Sequence, residues 1–189
     1  MSLRSVCVFC GARDGVGSRY AQATRDFART LLANRLQLVY GGASVGLMGL
    51  VADMVLEGDG QCIGVITDSL VDQEIAHAGL TRLEVTGSLS ERKTRMIELS
   101  DAFVALPGGA GTLDELFEVW TLAKLGFHEK PIGVLNCGGY FDLLLRFIDH
   151  TVTEGFIDDA DRALLVVEED PQALIDALRK GSRVADSLR

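Results

Sequence analysis

Two short segments hold the residue types from which a reaction site can be built. The first, Pro107-Gly108-Gly109-Ala110-Gly111-Thr112-Leu113-Asp114-Glu115, puts three glycines within four positions and a carboxylate four residues beyond the last of them. Glycine lets a backbone approach a ligand closely, and the start of a helix offers free amides to an anion. The segment can therefore hold a phosphate beside an acid. It also has a plainer reading: Thr112-x-x-Glu115 is a capping box, with threonine as the cap and glutamate reaching back to the amino end. Both readings stand at this point, because one carboxylate oxygen can face the backbone while the other faces a ligand.

The second segment, Gly87 to Met96, reads GSLSERKTRM. Ser88-x-x-Glu91 can cap a helix here, and Arg92 and Arg95 fall three apart on one side of it, with Lys93 next to Arg92. A basic cluster is usually solvated surface. At a helix start, however, the dipole disfavours cations. That conflict favours a ligand or a paired carboxylate, and Arg92 and Glu115 are expected to converge from neighbouring helices.

Apolar segments alternate with helical periodicity along the whole chain. Strands are expected at residues 5–10, 38–40, 62–66, 83–85, 102–106, 132–135 and 163–167. Helices are expected at 18–36, 47–56, 90–99, 112–124, 140–150 and 171–180, with a less regular, partly helical excursion over 67–83 and fraying over 182–189. This order predicts an α/β fold, a Rossmann-like doubly wound parallel sheet flanked by helices, as one domain over 1–189. Ligands of such sheets collect beyond the carboxyl ends of the strands. Three glycine-bearing junctions fall there: 10–18 with Gly11, 40–49 with Gly42 and Gly46, and 106–112. Neither a G-x-G-x-x-G dinucleotide fingerprint nor a G-x-x-x-x-G-K-[ST] triphosphate loop is present.

Bulk properties narrow the classes. The 189 residues suit one α/β domain. The formal net charge of -9 repels a nucleic-acid backbone or an anionic membrane, while a local basic pocket can still hold a phosphorylated metabolite. Cys7-x-x-Cys10 has redox or half-zinc spacing, but on a strand the two thiols point to opposite faces, and the histidines add no ligand pattern. Buried thiols of a reducing compartment fit better. Without a signal-like amino terminus or a membrane-length apolar run, the cytoplasm is expected.

On these motifs the chain resembles the LOG (Lonely Guy) family, the cytokinin riboside 5'-monophosphate phosphoribohydrolases, whose members often carry a lysine decarboxylase label. The family pattern PGGxGTxxE is complete at 107–115, and the upstream Arg-Lys element is Glu91-Arg92-Lys93. The resemblance runs from about Val6 to Val167, and includes the turn at 10–11, GGASVGLMG at 41–49 and KLGFHEKPIGVLN at 124–136. Two departures lie near the family's nucleotide. Ala12 stands where serine is common, and Leu89-Ser90 precedes Glu91 where Met-His is common. They bear on base preference more than on the reaction.

The resemblance implies hydrolysis of the N-glycosidic bond of an adenine-type nucleoside 5'-monophosphate to free base and ribose 5-phosphate. Glu115 would be the carboxylate at the anomeric carbon. Arg92 would orient it, contact the nucleotide and keep the acid ionised. Gly108, Gly109, Gly111 and Thr112 would receive the phosphate, with Gly11, Lys93, Gly42 and Gly46 completing the pocket. No metal or cofactor is needed, and a homodimer with its site near the subunit interface is implied. A general AMP nucleosidase and a non-catalytic nucleotide or cofactor carrier on the same scaffold are the alternatives. Lysine decarboxylation would need pyridoxal phosphate on a lysine, for which Lys93 is the least unsuitable residue.

Overall fold

The computed structural model describes residues 3–71 and 75–187. Its strands are β1 (Ser5–Phe9), β2 (Gln37–Tyr40), β3 (Cys62–Thr67), β4 (Arg82–Thr86), β5 (Ala102–Ala105), β6 (Ile132–Leu135) and β7 (Leu165–Glu168). The helices are α1 (Arg19–Ala33), α2 (Gly46–Glu57), α3 (Asp68–Val71), α4 (Leu89–Glu98), α5 (Ala110–Lys124), α6 (Asp142–Thr153), α7 (Asp159–Ala163) and α8 (Pro171–Ser187). All seven strands form one parallel sheet in the order β4-β3-β2-β1-β5-β6-β7. The expected Rossmann-like doubly wound sheet is the observed one.

Strand alternation sorts the core into two layers. On one face Val6, Val8 and Cys10 pack with Phe27 and Leu31 of α1, Val51 and Val55 of α2, and Leu174 and Leu178 of α8. On the other, Cys7, Phe9 and Phe103 pack with Met96 of α4, Leu116 and Trp120 of α5, and Ile148 of α6. Cys7 and Cys10 thus face opposite ways, and all four cysteines are free thiols. The central strands are buried throughout, whereas edge strand β4 leaves Leu83 and Val85 open.

The chain winds outward from β1 to β4, then returns through α4 to the other side of β1 and winds outward again to β7. The direction of winding reverses between β1 and β5, and the crevice of an open sheet lies at such a reversal. Gly11 follows β1 and the 106–109 loop follows β5, so both border that crevice.

Several boundaries differ from the sequence expectation. α5 begins at Ala110 instead of Thr112. Ala163, expected in a strand, ends α7, whose start is capped by the Asp158 side chain accepting from the Asp161 amide. A 3-10 turn over Cys137–Gly139 delays α6 to Asp142, because Gly138 takes a left-handed conformation with φ 58°. In the expected irregular excursion, α3 is a single turn, Ala76 bridges Ala43, and residues 72–74 lie outside the described ones. α8 remains helical past the expected fraying point, to Ser187, and residues 188–189 lie outside the description.

Candidate functional site

The loop after β5 is held tightly. Leu106 N–H donates to Phe9 O at 2.9 Å, and Gly11 N–H to Pro107 O at 3.0 Å. Gly108 has no room for a side chain: a Cβ there would lie 2.0 Å from Thr112 Oγ1 and 2.9 Å from the Gly11 nitrogen. This packing draws the helix start back to Gly109, which is the N-cap and supplies no side-chain cap. The capping-box expectation is therefore corrected. Thr112 is the third helical residue, buried beneath Gly108, and Glu115 sits in the second turn, beyond reach of the amino end. What remains is a glycine-built helix start whose first amides have no intrahelical acceptor and no capping side chain. Such a start is suited to an anion.

α4 supplies the second part. Ser88 Oγ accepts from the Glu91 amide at 3.2 Å while the Glu91 carboxylate accepts from Gly87 N–H at 3.0 Å, so the expected Ser88 cap forms. One residue on, Arg92 turns inward. Its Nε donates to Val65 O at 2.8 Å, and its guanidinium lies so close over Gly41 that a Cβ there would stand 2.0 Å from Nη2. Its Nη1 is 3.4 Å from Glu115 Oε1, and the two side chains are only 11% and 12% exposed. Burial pushes the Glu115 carboxyl up to about 7, against the downward pull of Arg92, with Asp114 and Glu118 adding to the rise. Arg92 was expected to keep this acid ionised through its opposite charge. Desolvation outweighs it, and the result is a group able to give or take a proton near neutrality.

Arg92 and Glu115 both line a cleft of about 650 Å³ at the β1/β5 reversal. Gly11, Gly108, Gly109, Gly111 and Thr112 are part of its lining. Val45, Leu47, Met48, Leu70 and Ile75 contribute apolar surface. Gly42 and Gly46 do not reach the cleft; they shape the loop behind it. Gly42, at φ 74°, accepts from His77 N–H at 2.9 Å, and Gly46, at φ 55°, packs so that a Cβ would lie 2.4 Å from Ala12 C.

Lys93 is not brought to the cleft. Its ammonium bonds Asp114 Oδ2 at 3.0 Å and pairs with Glu118, both on α5. Glu118 and Asp114 hold it above the ordinary lysine range. Arg95 also turns away, its Nε 2.6 Å from Glu84. Pyridoxal phosphate chemistry needs a neutral lysine amine in the site. No lysine lines the cleft among the described residues, and Lys93 is a paired ammonium, so the residues do not fit that group. Nor do any three His, Cys, Asp or Glu side chains among the described residues gather as for a metal ion.

The sequence reading missed Gly41, Arg13 and Tyr140. The strand-ending glycine pair signalled the first, since only a bare Cα accommodates a guanidinium this close. Arg13 lines the cleft as a second arginine. Tyr140 follows the Gly138-Gly139 turn and lines the cleft too, donating from its hydroxyl to Gly108 O at 2.6 Å. No local signal announced that reach.

Fold and cleft together define the class: a Rossmann-like doubly wound protein with its site where the sheet's winding reverses. Comparison with known proteins narrows it. The family described as "Possible lysine decarboxylase" matches residues 48–178. The chain is 46% identical over 177 residues to a probable cytokinin riboside 5'-monophosphate phosphoribohydrolase, LOGL9, of Oryza sativa subsp. japonica, covering 94% of this chain and 78% of that one. It is also 46% identical to the cytokinin riboside 5'-monophosphate phosphoribohydrolase of Rhodococcoides fascians, covering 93% and 89% of the two chains. The protein thus belongs to the LOG family of phosphoribohydrolases. Among solved structures, the molybdenum cofactor binding protein of Rippkaea orientalis superposes with a TM-score of 0.71 at 18% identity, covering 95% of this chain and 98% of that one. At that identity the likeness is one of fold.

Proposed function

We propose that the protein hydrolyses the N-glycosidic bond of cytokinin riboside 5'-monophosphates, and of AMP, to the free base and ribose 5-phosphate, as one catalytic domain. The observation that carries this reading is the placement of Glu115. It is a nearly buried carboxyl beside Arg92, in the same cleft as an uncapped helix start. The phosphate sits on the Gly108–Thr112 amides, with Arg13 near the mouth. The base lies toward Val45, Met48 and Ile75.

As the bond from C1' to the base nitrogen lengthens, positive charge develops on the sugar ring. Glu115, ionised, stabilises that charge and takes a proton from the attacking water. The hydroxyl oxygen bonds C1', the base leaves with the bond's electron pair, and the proton taken from water passes to the base nitrogen, which returns Glu115 to its ionised form. Arg92, fixed by Val65 O, orients the carboxylate and contacts the nucleotide.

The reading extends to a homodimer. Leu125 and Phe127 beyond α5, Leu143 and Phe147 on α6, and Phe156 are large apolar side chains left open, which favours their burial against a second copy. No helix among the described residues is long and apolar enough to cross a membrane. The free thiols and the acidic surface fit a cytoplasmic enzyme without a nucleic-acid partner.

The test is a product assay across AMP, other nucleoside monophosphates, isopentenyladenosine monophosphate and its unphosphorylated riboside. Free base and ribose 5-phosphate from the phosphorylated adenine compounds are expected. Binding without cleavage of any of them would overturn the proposal.

A further inference from the structure

The 107–109 loop is bracketed by both strands that flank β5. From the β1 side, Gly11 N–H occupies the carbonyl of Pro107. From the β6 side, the Tyr140 hydroxyl occupies the carbonyl of Gly108 at 2.6 Å. The third carbonyl of the loop, that of Gly109, accepts from Leu113 N–H inside α5, so all three anion-repelling groups are engaged just before the amides suited to an anion. The Gly108–Gly109 peptide is trans, so its N–H points opposite to its C=O. A donor that holds the Gly108 oxygen on one side therefore holds the Gly109 N–H on the other.

The element that delivers Tyr140 is built for a fixed position. Asn136 is buried, its amide nitrogen bonded to Asp142 Oδ1 at 2.8 Å and its side-chain oxygen accepting from Phe141 N–H at 2.7 Å. Gly139, at φ 69°, completes the turn where a Cβ would stand 2.6 Å from Asp142 Oδ2. The Tyr140 ring meets Tyr20 edge-on at 5.3 Å and Phe141 at 4.9 Å. Ring packing sets its place, which leaves the hydroxyl for the loop. That hydroxyl has one proton, already donated to Gly108, so it has none to give a bound phosphate.

We infer that Tyr140 is a positioning residue for phosphate recognition, acting through the Gly108–Gly109 peptide and touching neither the phosphate nor the reacting bond. The inference rests on the phosphate placement proposed above. Tyr140→Phe keeps the ring and removes only the hydroxyl, at a partly open position where folding is not at stake.

Titration of the purified full chain with inorganic phosphate and with ribose 5-phosphate is the direct test, because it needs no turnover. The variant is expected to bind both about three- to tenfold more weakly, the span of one lost hydrogen bond. KM for AMP should rise by the same factor, with kcat within about twofold and with adenosine binding unchanged. Equal phosphate affinity in wild type and variant overturns the inference while leaving the site reading intact. A fall in kcat without a change in phosphate affinity overturns it as well. Failure of the wild type to bind either phosphate compound sinks the phosphate placement itself, and the role of Tyr140 with it.

Discussion

Arg92 Nη1 stands 3.4 Å from Glu115 Oε1, while Arg92 Nε is fixed at 2.8 Å to the carbonyl of Val65. The charge contact is longer than the 2.7–2.9 Å of a close ionic hydrogen bond. The backbone therefore holds the guanidinium more firmly than the carboxylate does. Burial therefore outweighs this counter-charge and holds the Glu115 carboxyl up at about 7.

Glu115→Gln removes the titrating group at nearly constant shape. Turnover of AMP and of isopentenyladenosine monophosphate is expected to fall about a hundredfold or more. Circular dichroism should be unchanged, and phosphate affinity kept or tightened by the loss of a nearby negative charge. Normal hydrolysis of both substrates by the variant would remove Glu115 from the mechanism.

The proposed mechanism uses ionised Glu115, so kcat/KM is expected to rise with pH through about 7 and then level off. Arg92 lowers the Glu115 value. Arg92→Gln should therefore move this limb to higher pH as well as reducing the plateau. A limb at the same pH in both proteins would show that Arg92 does not set the proton affinity of the acid.

Stability carries the same signature with a defined sign. The Glu115 carboxyl is raised from 4.5 to about 7, so between those values the folded chain binds the proton more strongly than the unfolded chain. Its contribution is fully present below pH 4.5 and is lost as pH rises through about 7. Denaturant melts should show Glu115→Gln gaining on the wild type, by on the order of 3 kcal/mol, between pH 4.5 and pH 8.

Adjacent glycines should respond differently to alanine. At Gly108 the new Cβ meets Thr112 Oγ1 and the Gly11 nitrogen, whereas at Gly109 nothing lies within 4 Å. Gly108→Ala is expected to cost roughly 1–3 kcal/mol and to weaken phosphate binding. Gly109→Ala should stay within about 1 kcal/mol of the wild type. Thermal melts and phosphate titrations on the two variants separate these outcomes.

The open apolar residues beyond α5 give the oligomer test. The wild type should sediment as two 20.3 kDa chains, and Phe127→Asp should shift it toward one while leaving its circular dichroism unchanged. A monomeric wild type would end the dimer reading.

Local pattern was enough for the strands, the three glycine junctions and the Ser88 cap, because each depends on neighbours within a turn or two. The convergence of Arg92 and Glu115 was anticipated from their places at two helix starts, both expected at the carboxyl edge of one parallel sheet. The start of α5 was not legible. Thr112-x-x-Glu115 satisfies a capping pattern, but the contact of Gly108 with Thr112 and Gly11 decides the boundary, and Gly11 lies far away in sequence. Lys93 was misplaced for a similar reason. Consecutive helical residues point about 100° apart, so when Arg92 faces the sheet Lys93 faces α5, where acids await it. Tyr140 reaches the loop only because β6 lies next to β5, a tertiary fact with no local trace.

The position of β1 at the middle of the sheet also governs when the enzyme can first act. β1 pairs with β2 on one side and with β5 on the other, so the crevice has walls only when both pairings exist. A nascent chain that has emerged through α4 carries Arg92 but no Glu115, and any refolding species with the two halves undocked would keep them apart. Neither species would hold the proposed catalytic pair together. Recovery of activity after dilution from denaturant should therefore trail the recovery of helical signal, reporting the closing of the sheet's last central pairing.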